Sequence, residues 1–156
     1  MSATCNFSVR PAWPSDSTQL ADLRATLWPE STAAAHKSEL DAILSGAFQT
    51  VLPMTIFVAE HHDQILGFLE ADLRSCADGC DVSRPVGYVE GWFVSESQRR
   101  QGIGRALLAA AEDWARAQGC KEMASDAELV NTLSQRVHEA SGFSVTARSV
   151  LYRKSL

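Results

Sequence analysis

The segment from Ser95 to Leu108 reads SESQRRQGIGRALL and gathers Arg99, Arg100 and Arg105 around Gly102 and Gly104. Glycines let backbone N–H groups approach a ligand with no Cβ in the way, and a helix opening near Ile103 adds roughly +0.5 charge at its N-terminus. Residues of these types, in this order, make an anion site for which a pyrophosphate is the natural guest. Two nucleotide signatures are absent: there is no GxxxxGK[ST], and Gly102-Ile103-Gly104-Arg105-Ala106-Leu107 is not GxGxxG. A nucleoside triphosphatase and a dinucleotide dehydrogenase are therefore not indicated. The plainer alternative is a turn whose arginines are solvated.

A second set of candidates is acidic. Glu90 sits between apolar neighbours in VGYVEGWFV, where a buried carboxylate is costly unless paired; its mid-strand position predicts burial and a raised pKa. It is either an outward-facing charge or a group that binds a cation or relays a proton. Asp126 closes CKEMASD, where it either caps the following helix or faces a cleft between diverging strands. Trp28, next to Pro29, is as good a core residue as a pocket wall. The four cysteines, Cys5, Cys76, Cys80 and Cys120, lack zinc spacing, so free thiols and no metal are expected.

The elements that must position these groups follow from periodicity. Phe7 and Val9 alternate in a first strand over residues 5–10, ended by Pro11. A helix capped near Ser15 and Asp16 carries Leu20, Leu23 and Leu27, and another runs from Ser31 to Gly46. Strands over 55–60 and 65–74 form a hairpin across His61-His62-Asp63-Gln64, and residues 76–85 form a loop. A strand over 86–94 contains Gly91, which marks a bulge or a close backbone approach. Ile103, Leu107, Leu108, Ala111, Trp114 and Ala115 trace one face of a helix ending at Gly119. A short strand over 120–126, a helix over 129–143 and a final strand over 144–154 complete the order.

The chain has 156 residues, 46% hydrophobic and 21% charged, which fits one ordinary domain spanning residues 1–156. Its 14 basic and 19 acidic side chains give a formal charge of −5, which argues against nucleic acid and favours a cationic partner. No run approaches the ~20 apolar residues of a membrane span, and the N-terminus lacks a secretion-signal pattern, so no membrane association and a cytoplasmic location are expected.

Arg99-Arg100-Gln101-Gly102-Ile103-Gly104 resembles the pyrophosphate loop of the GNAT superfamily of N-acetyltransferases, whose pattern is Gln or Arg, two residues, Gly, one residue, Gly or Ala. The order of elements matches that superfamily's fold: a mixed, mainly antiparallel α/β sheet flanked by helices, with a splayed parallel strand pair at the acetyl-CoA site. A narrower resemblance runs through Leu27-Trp28-Pro29, Asp78-Gly79-Cys80-Asp81, Glu90-Gly91, Glu122-Met123-Ala124-Ser125-Asp126, Asn131-Thr132-Leu133-Ser134-Gln135, Val137-His138, Gly142-Phe143 and Tyr152-Arg153-Lys154. These segments are similar to those of short aminoglycoside 6'-N-acetyltransferases.

The resemblance implies acetyl-CoA as donor, held by main-chain groups of Trp92, Phe93 and Val94, by the loop Arg99, Arg100, Gln101, Gly102, Ile103, Gly104 and Arg105, and by Asn131 at the pantetheine arm. It implies a cationic small-molecule amine as acceptor, held by Trp28, Glu90 and Asp126, with Glu90 and Asp126 as catalytic carboxylates and a homodimer as the assembly. His138 lies where many members carry a tyrosine proposed to protonate the departing thiolate; a lone helical histidine is otherwise structural. This chain lacks the loop tyrosine common before Gly79-Cys80-Asp81 and the glutamate common after Gly-Phe, both of which would touch acceptor. Polyamines, small metabolic amines and protein N-termini are alternative acceptors, and a non-catalytic acetyl-CoA sensor is the alternative outside enzymes.

Overall fold

The computed structural model describes residues 6–48 and 50–156. Alternating side chains build a single sheet from β1 (Ser8–Pro11), β2 (Met54–His61), β3 (Gln64–Arg74), β4 (Val86–Val94) and β5 (Met123–Ser125), ordered β1-β2-β3-β4-β5. The first four strands are antiparallel neighbours, and β4 and β5 run parallel. The helices are α1 (Ser17–Leu27), α2 (Ala33–Leu44), α3 (Ile103–Ala117) and α4 (Thr132–Ala140), with short 3-10 turns at Pro14–Asp16 and Glu96–Gln98. The mixed, mainly antiparallel sheet expected from the sequence is the one that forms.

Period-two alternation sends each strand's apolar residues to two faces. Ile56, Val58 and Phe68 meet Leu20, Ala21 and Leu40 of α1 and α2 on one face. Phe57, Ala59, Leu69, Ala71 and Val89 meet Ile103, Leu107, Leu108 and Ala111 of α3 on the other. The β2–β3 hairpin turns on His62 and Asp63, both at positive φ (49° and 60°), the two-residue geometry that matches strand twist.

The first strand begins at Ser8, later than expected. Residues 144–154 form no strand, and Val145, Val150, Leu151 and Tyr152 are exposed. Alternation reports only that a segment suits a sheet; a strand also needs a partner, and this segment pairs with neither edge strand, β1 or β5. Cys76, Cys80 and Cys120 are free thiols, as expected, while Cys5 lies outside the described residues.

One buried ion pair joins the helical layer to the sheet beside the site. Arg24 of α1 donates from Nε to Glu70 Oε1 at 2.5 Å and from Nη2 to Oε2 at 2.6 Å, and both side chains are buried. Burial pushes the Glu70 carboxyl up, against the opposing pull of the Arg24 guanidinium. Glu70 pairs with Gly91 where the β3–β4 register shifts, so the pair fixes α1 over the irregular point of the sheet. Arg24→Met strands a buried carboxylate and should cost about 3–5 kcal/mol in urea unfolding. The double variant Arg24→Met/Glu70→Leu should recover most of that loss, because no buried charge then lacks a partner.

Candidate active site

Pairing between β4 and β5 ends at Val89 and Ser125, yet β4 continues to Val94. The chain leaves β5 at Asp126, and β4 from Glu90 to Val94 keeps β3 on one side and, among the described residues, no strand on the other. The gap that opens where pairing stops is the candidate groove, with the backbone edge of β4 as one wall. Within it the side chains of Trp92 and Phe93 turn to opposite faces, Trp92 toward α3 and Phe93 against Phe68 at 6.1 Å between ring centroids. Their main-chain groups line the groove, where a peptide-like arm could pair as a strand would.

The cationic end of the groove is the α3 N-terminus. Gly102 sits in the left-handed region (φ 84°), acts as N-cap without a side-chain cap, and has open space where a Cβ would stand. The first helical bond runs from Ala106 N–H to the Gly102 carbonyl at 3.0 Å, so the N–H groups of Ile103, Gly104 and Arg105 precede the helical ladder and remain to bind an anion. Arg100, Gln101 and Arg105 are exposed around this turn, and Arg99 donates from Nε to the Val94 carbonyl at 3.0 Å, tying the loop to β4. Ile103 itself is buried, so only its backbone is available. A Cβ at Gly104 would stand 3.4 Å from the Trp92 indole, an ordinary contact, so the residue lies where α3 meets β4 with its N–H in the first turn.

The acidic end lies on the α1 side. The β-bulge puts Glu90 opposite no partner, and Gly91 lies beneath Trp28, whose ring would be 2.5 Å from a Cβ there. Trp28 also packs against Phe68 and His36, so it is both core and wall. Glu90 is exposed, contrary to the burial its mid-strand position suggested, because the bulge turns it out of the ladder. Asp126 accepts from the Tyr88 hydroxyl at 2.9 Å and does not cap α4; Asn131 does so, its Oδ1 accepting from Ser134 N–H at 3.0 Å.

Both His138 ring nitrogens are engaged. Nδ1 lies 2.8 Å from the Ser134 carbonyl, which only a protonated nitrogen can bond, and Nε2 lies 2.9 Å from Ser125 Oγ. The ring packs edge-on against Trp92 and Phe143, so His138 ties α4 to the end of β5.

Three groups near the acidic end escaped the sequence reading. Asp72 and Tyr88 are register partners across β3 and β4 and so share a face, and Arg74 follows on the same face. Arg74 bonds Glu90, lies 3.9 Å from Asp72 Oδ1, and holds its guanidinium carbon 3.3 Å from the centre of the Tyr88 ring. Asp72 Oδ1 is buried without a hydrogen-bond partner, and desolvation together with the Glu90 charge pushes its carboxyl up to about 6. Desolvation and the Asp126 bond push the Tyr88 hydroxyl up to about 12. The available signal was the period of two: in EADLR, Glu70, Asp72 and Arg74 fall on one face of a strand.

A groove with an anion-binding turn at one end and carboxylates at the other is matched by known proteins. Residues 20–143 match the model of the acetyltransferase (GNAT) family. The aminoglycoside N(6')-acetyltransferase type 1 of Klebsiella aerogenes is 42% identical over 149 residues, covering 95% of this chain and 96% of that one. The enzyme of the same name from Stenotrophomonas maltophilia is 37% identical over 150 residues, covering 96% and 94%. Among solved structures, AAC(6')-Iy in complex with CoA superposes with a TM-score of 0.88 at 35% identity, covering 100% of this chain and 99% of that one. AAC(6')-Iy in complex with the bisubstrate analog CoA-S-monomethyl-acetylneamine gives 0.85 at 36%, covering 97% and 99%. The chain belongs to the GNAT acetyltransferase family.

Proposed function

We propose that this protein transfers the acetyl group of acetyl-CoA to the 6'-amino group of an aminoglycoside antibiotic, and so confers resistance to it. The observation that carries the reading is the division of one groove into an anion-binding end at Gly102 and an acidic end at Glu90 and Asp126, in a chain whose relatives bear that activity by name. The residues present fit the donor: the open, left-handed Gly102 and the free N–H groups of the α3 first turn suit a pyrophosphate, Arg100, Gln101 and Arg105 border it, and Arg99 holds the loop. Main-chain groups of Trp92, Phe93 and Val94, with the Asn131 amide, take the pantetheine arm. Acetyl-CoA supplies an activated thioester.

The acceptor arrives as a polycation, and its reacting amine must be neutral to attack the thioester carbonyl. Asp126 docks ammonium groups, and Glu90 takes the proton of the reacting amine through water. The new C–N bond forms as the C–S bond breaks, and spare N–H groups beside the bulge stabilise the charge that develops on the carbonyl oxygen. Trp28 supplies the flat wall against which a sugar ring rests. His138 keeps α4 seated on β5 and leaves the thiolate to be protonated by solvent. The reaction belongs in the cytoplasm, and among the described residues no helix is long and apolar enough to cross a membrane. We also propose a homodimer, supported by the apolar Leu129, Val130, Leu133, Leu151 and Tyr152 exposed on α4, its approach and the C-terminal segment.

Incubation with acetyl-CoA and kanamycin should yield one acetyl group at the 6' position by mass spectrometry and NMR, with stoichiometric thiol release. An analogue with a 6'-hydroxyl should be a poor substrate. Acetylation of spermidine or peptides alone would remove the antibiotic reading, and absence of thiol release with every acceptor would leave a sensor. The two carboxylates separate by kinetics: Asp126→Asn should raise the acceptor KM with little change in kcat. Glu90→Gln should lower kcat by ~10² or more. A large kcat loss confined to Asp126→Asn would reverse the assignment.

A further inference from the structure

Beneath the acceptor end of the groove, the sheet already holds a cation of its own. Arg74, the last residue of β3, lays its guanidinium over the Tyr88 ring at 3.3 Å, donates to Glu90 and faces Asp72 at 3.9 Å. An aromatic face with carboxylates at its rim is the arrangement that binds alkylammonium and guanidinium groups. Asp126 reaches the same ring from β5 through the Tyr88 hydroxyl. Two carboxylates, Glu90 and Asp72, therefore flank one guanidinium, and Asp72 Oδ1 is buried without a hydrogen-bond partner. Arg74 is a weak plug: its side chain is 41% exposed, and its partner Glu90 is 36% exposed, so solvent screens the pair.

We propose that Arg74 is a specificity-determining residue, whose guanidinium fills a cation cage of Tyr88, Glu90 and Asp72 until a non-reacting ammonium of the acceptor displaces it. The inference rests on the acceptor reading above and deepens it. Displacement exchanges one cation for another at the ring and releases Glu90 from the Arg74 guanidinium. An acceptor bringing two or more ammonium groups satisfies Asp72 as well, which Arg74 alone does not. Acceptors with a single amine have no spare cation with which to displace the plug, so the cage selects for polyamines of aminoglycoside shape. The Asp72 carboxylate also has a cost that a second cation removes: desolvation and the Glu90 charge raise its pKa above the ordinary aspartate range, so stability present at lower pH is lost as pH rises through about 6.

The test compares wild type with Arg74→Gln, Arg74→Lys and Asp72→Asn, using kanamycin and the monoamine methyl 6-amino-6-deoxyglucoside as acceptors. Arg74→Gln should lower the KM for kanamycin about three- to fivefold, the effect of one screened ion pair, and leave the KM for acetyl-CoA in place as an internal reference. It should lower the kanamycin KM more than that for the monoamine, Arg74→Lys should stay near wild type, and Asp72→Asn should raise the kanamycin KM. An unchanged or raised kanamycin KM in Arg74→Gln would overturn the inference, since the guanidinium would then be a bystander or itself a ligand of the acceptor. Equal changes in both substrates' KM across all three variants would likewise overturn it in favour of a structural role. Wild-type turnover of kanamycin is read in the same experiment, so failure of the acceptor reading itself shows as its absence.

Discussion

The site depends on one interruption of sheet pairing. β5 matches β4 for only three residue pairs, Gly87 with Met123, Tyr88 with Ala124 and Val89 with Ser125, and then the two part. Beyond that point β4 bulges at Glu90, and its remaining edge is free to pair with a ligand. A continuous ladder would leave no groove, and a complete separation would leave no fixed wall. The surrounding contacts hold the splay at this intermediate state. Arg24 and Glu70 lock α1 over the bulge, Trp28 seats on Gly91, and His138 bonds Ser125 to anchor α4 at the end of β5.

The same interruption separates two electrostatic environments. The α3 N-terminus and its arginines lie beyond the end of β4, while Glu90, Asp72 and Asp126 lie around the point where pairing stops. In the proposed reaction an anionic donor and a cationic acceptor would be drawn to these opposite ends, with the thioester and the amine meeting between them. The net charge of −5 adds a weak field in favour of the acceptor, and the local carboxylates supply the direction.

The sheet, the helices and the glycine turn before α3 are legible because each rests on a local pattern: period two in the strands, a 3.6-residue apolar face on α3, glycine at the turn. The final strand is not, since residues 144–154 show the right alternation and find no edge. The exposure of Glu90 is not legible either, because alternation along the strand does not show the bulge that leaves Glu90 without a register partner. Arg74, Asp72 and Tyr88 come together only through the β3–β4 register, which a one-residue slip would have changed.

In the proposed function both substrates occupy one continuous groove across the β4–β5 splay. A bisubstrate ligand, CoA joined through sulfur to the 6'-nitrogen of neamine, tests it most directly by isothermal titration calorimetry against CoA and neamine alone. One groove with two charged ends predicts that the joined ligand binds far more tightly than either half, by about 10²-fold or more over CoA, because the second half binds at high effective concentration. Affinity no greater than that of CoA alone would contradict the account, since the acidic end would then not lie within reach of the donor.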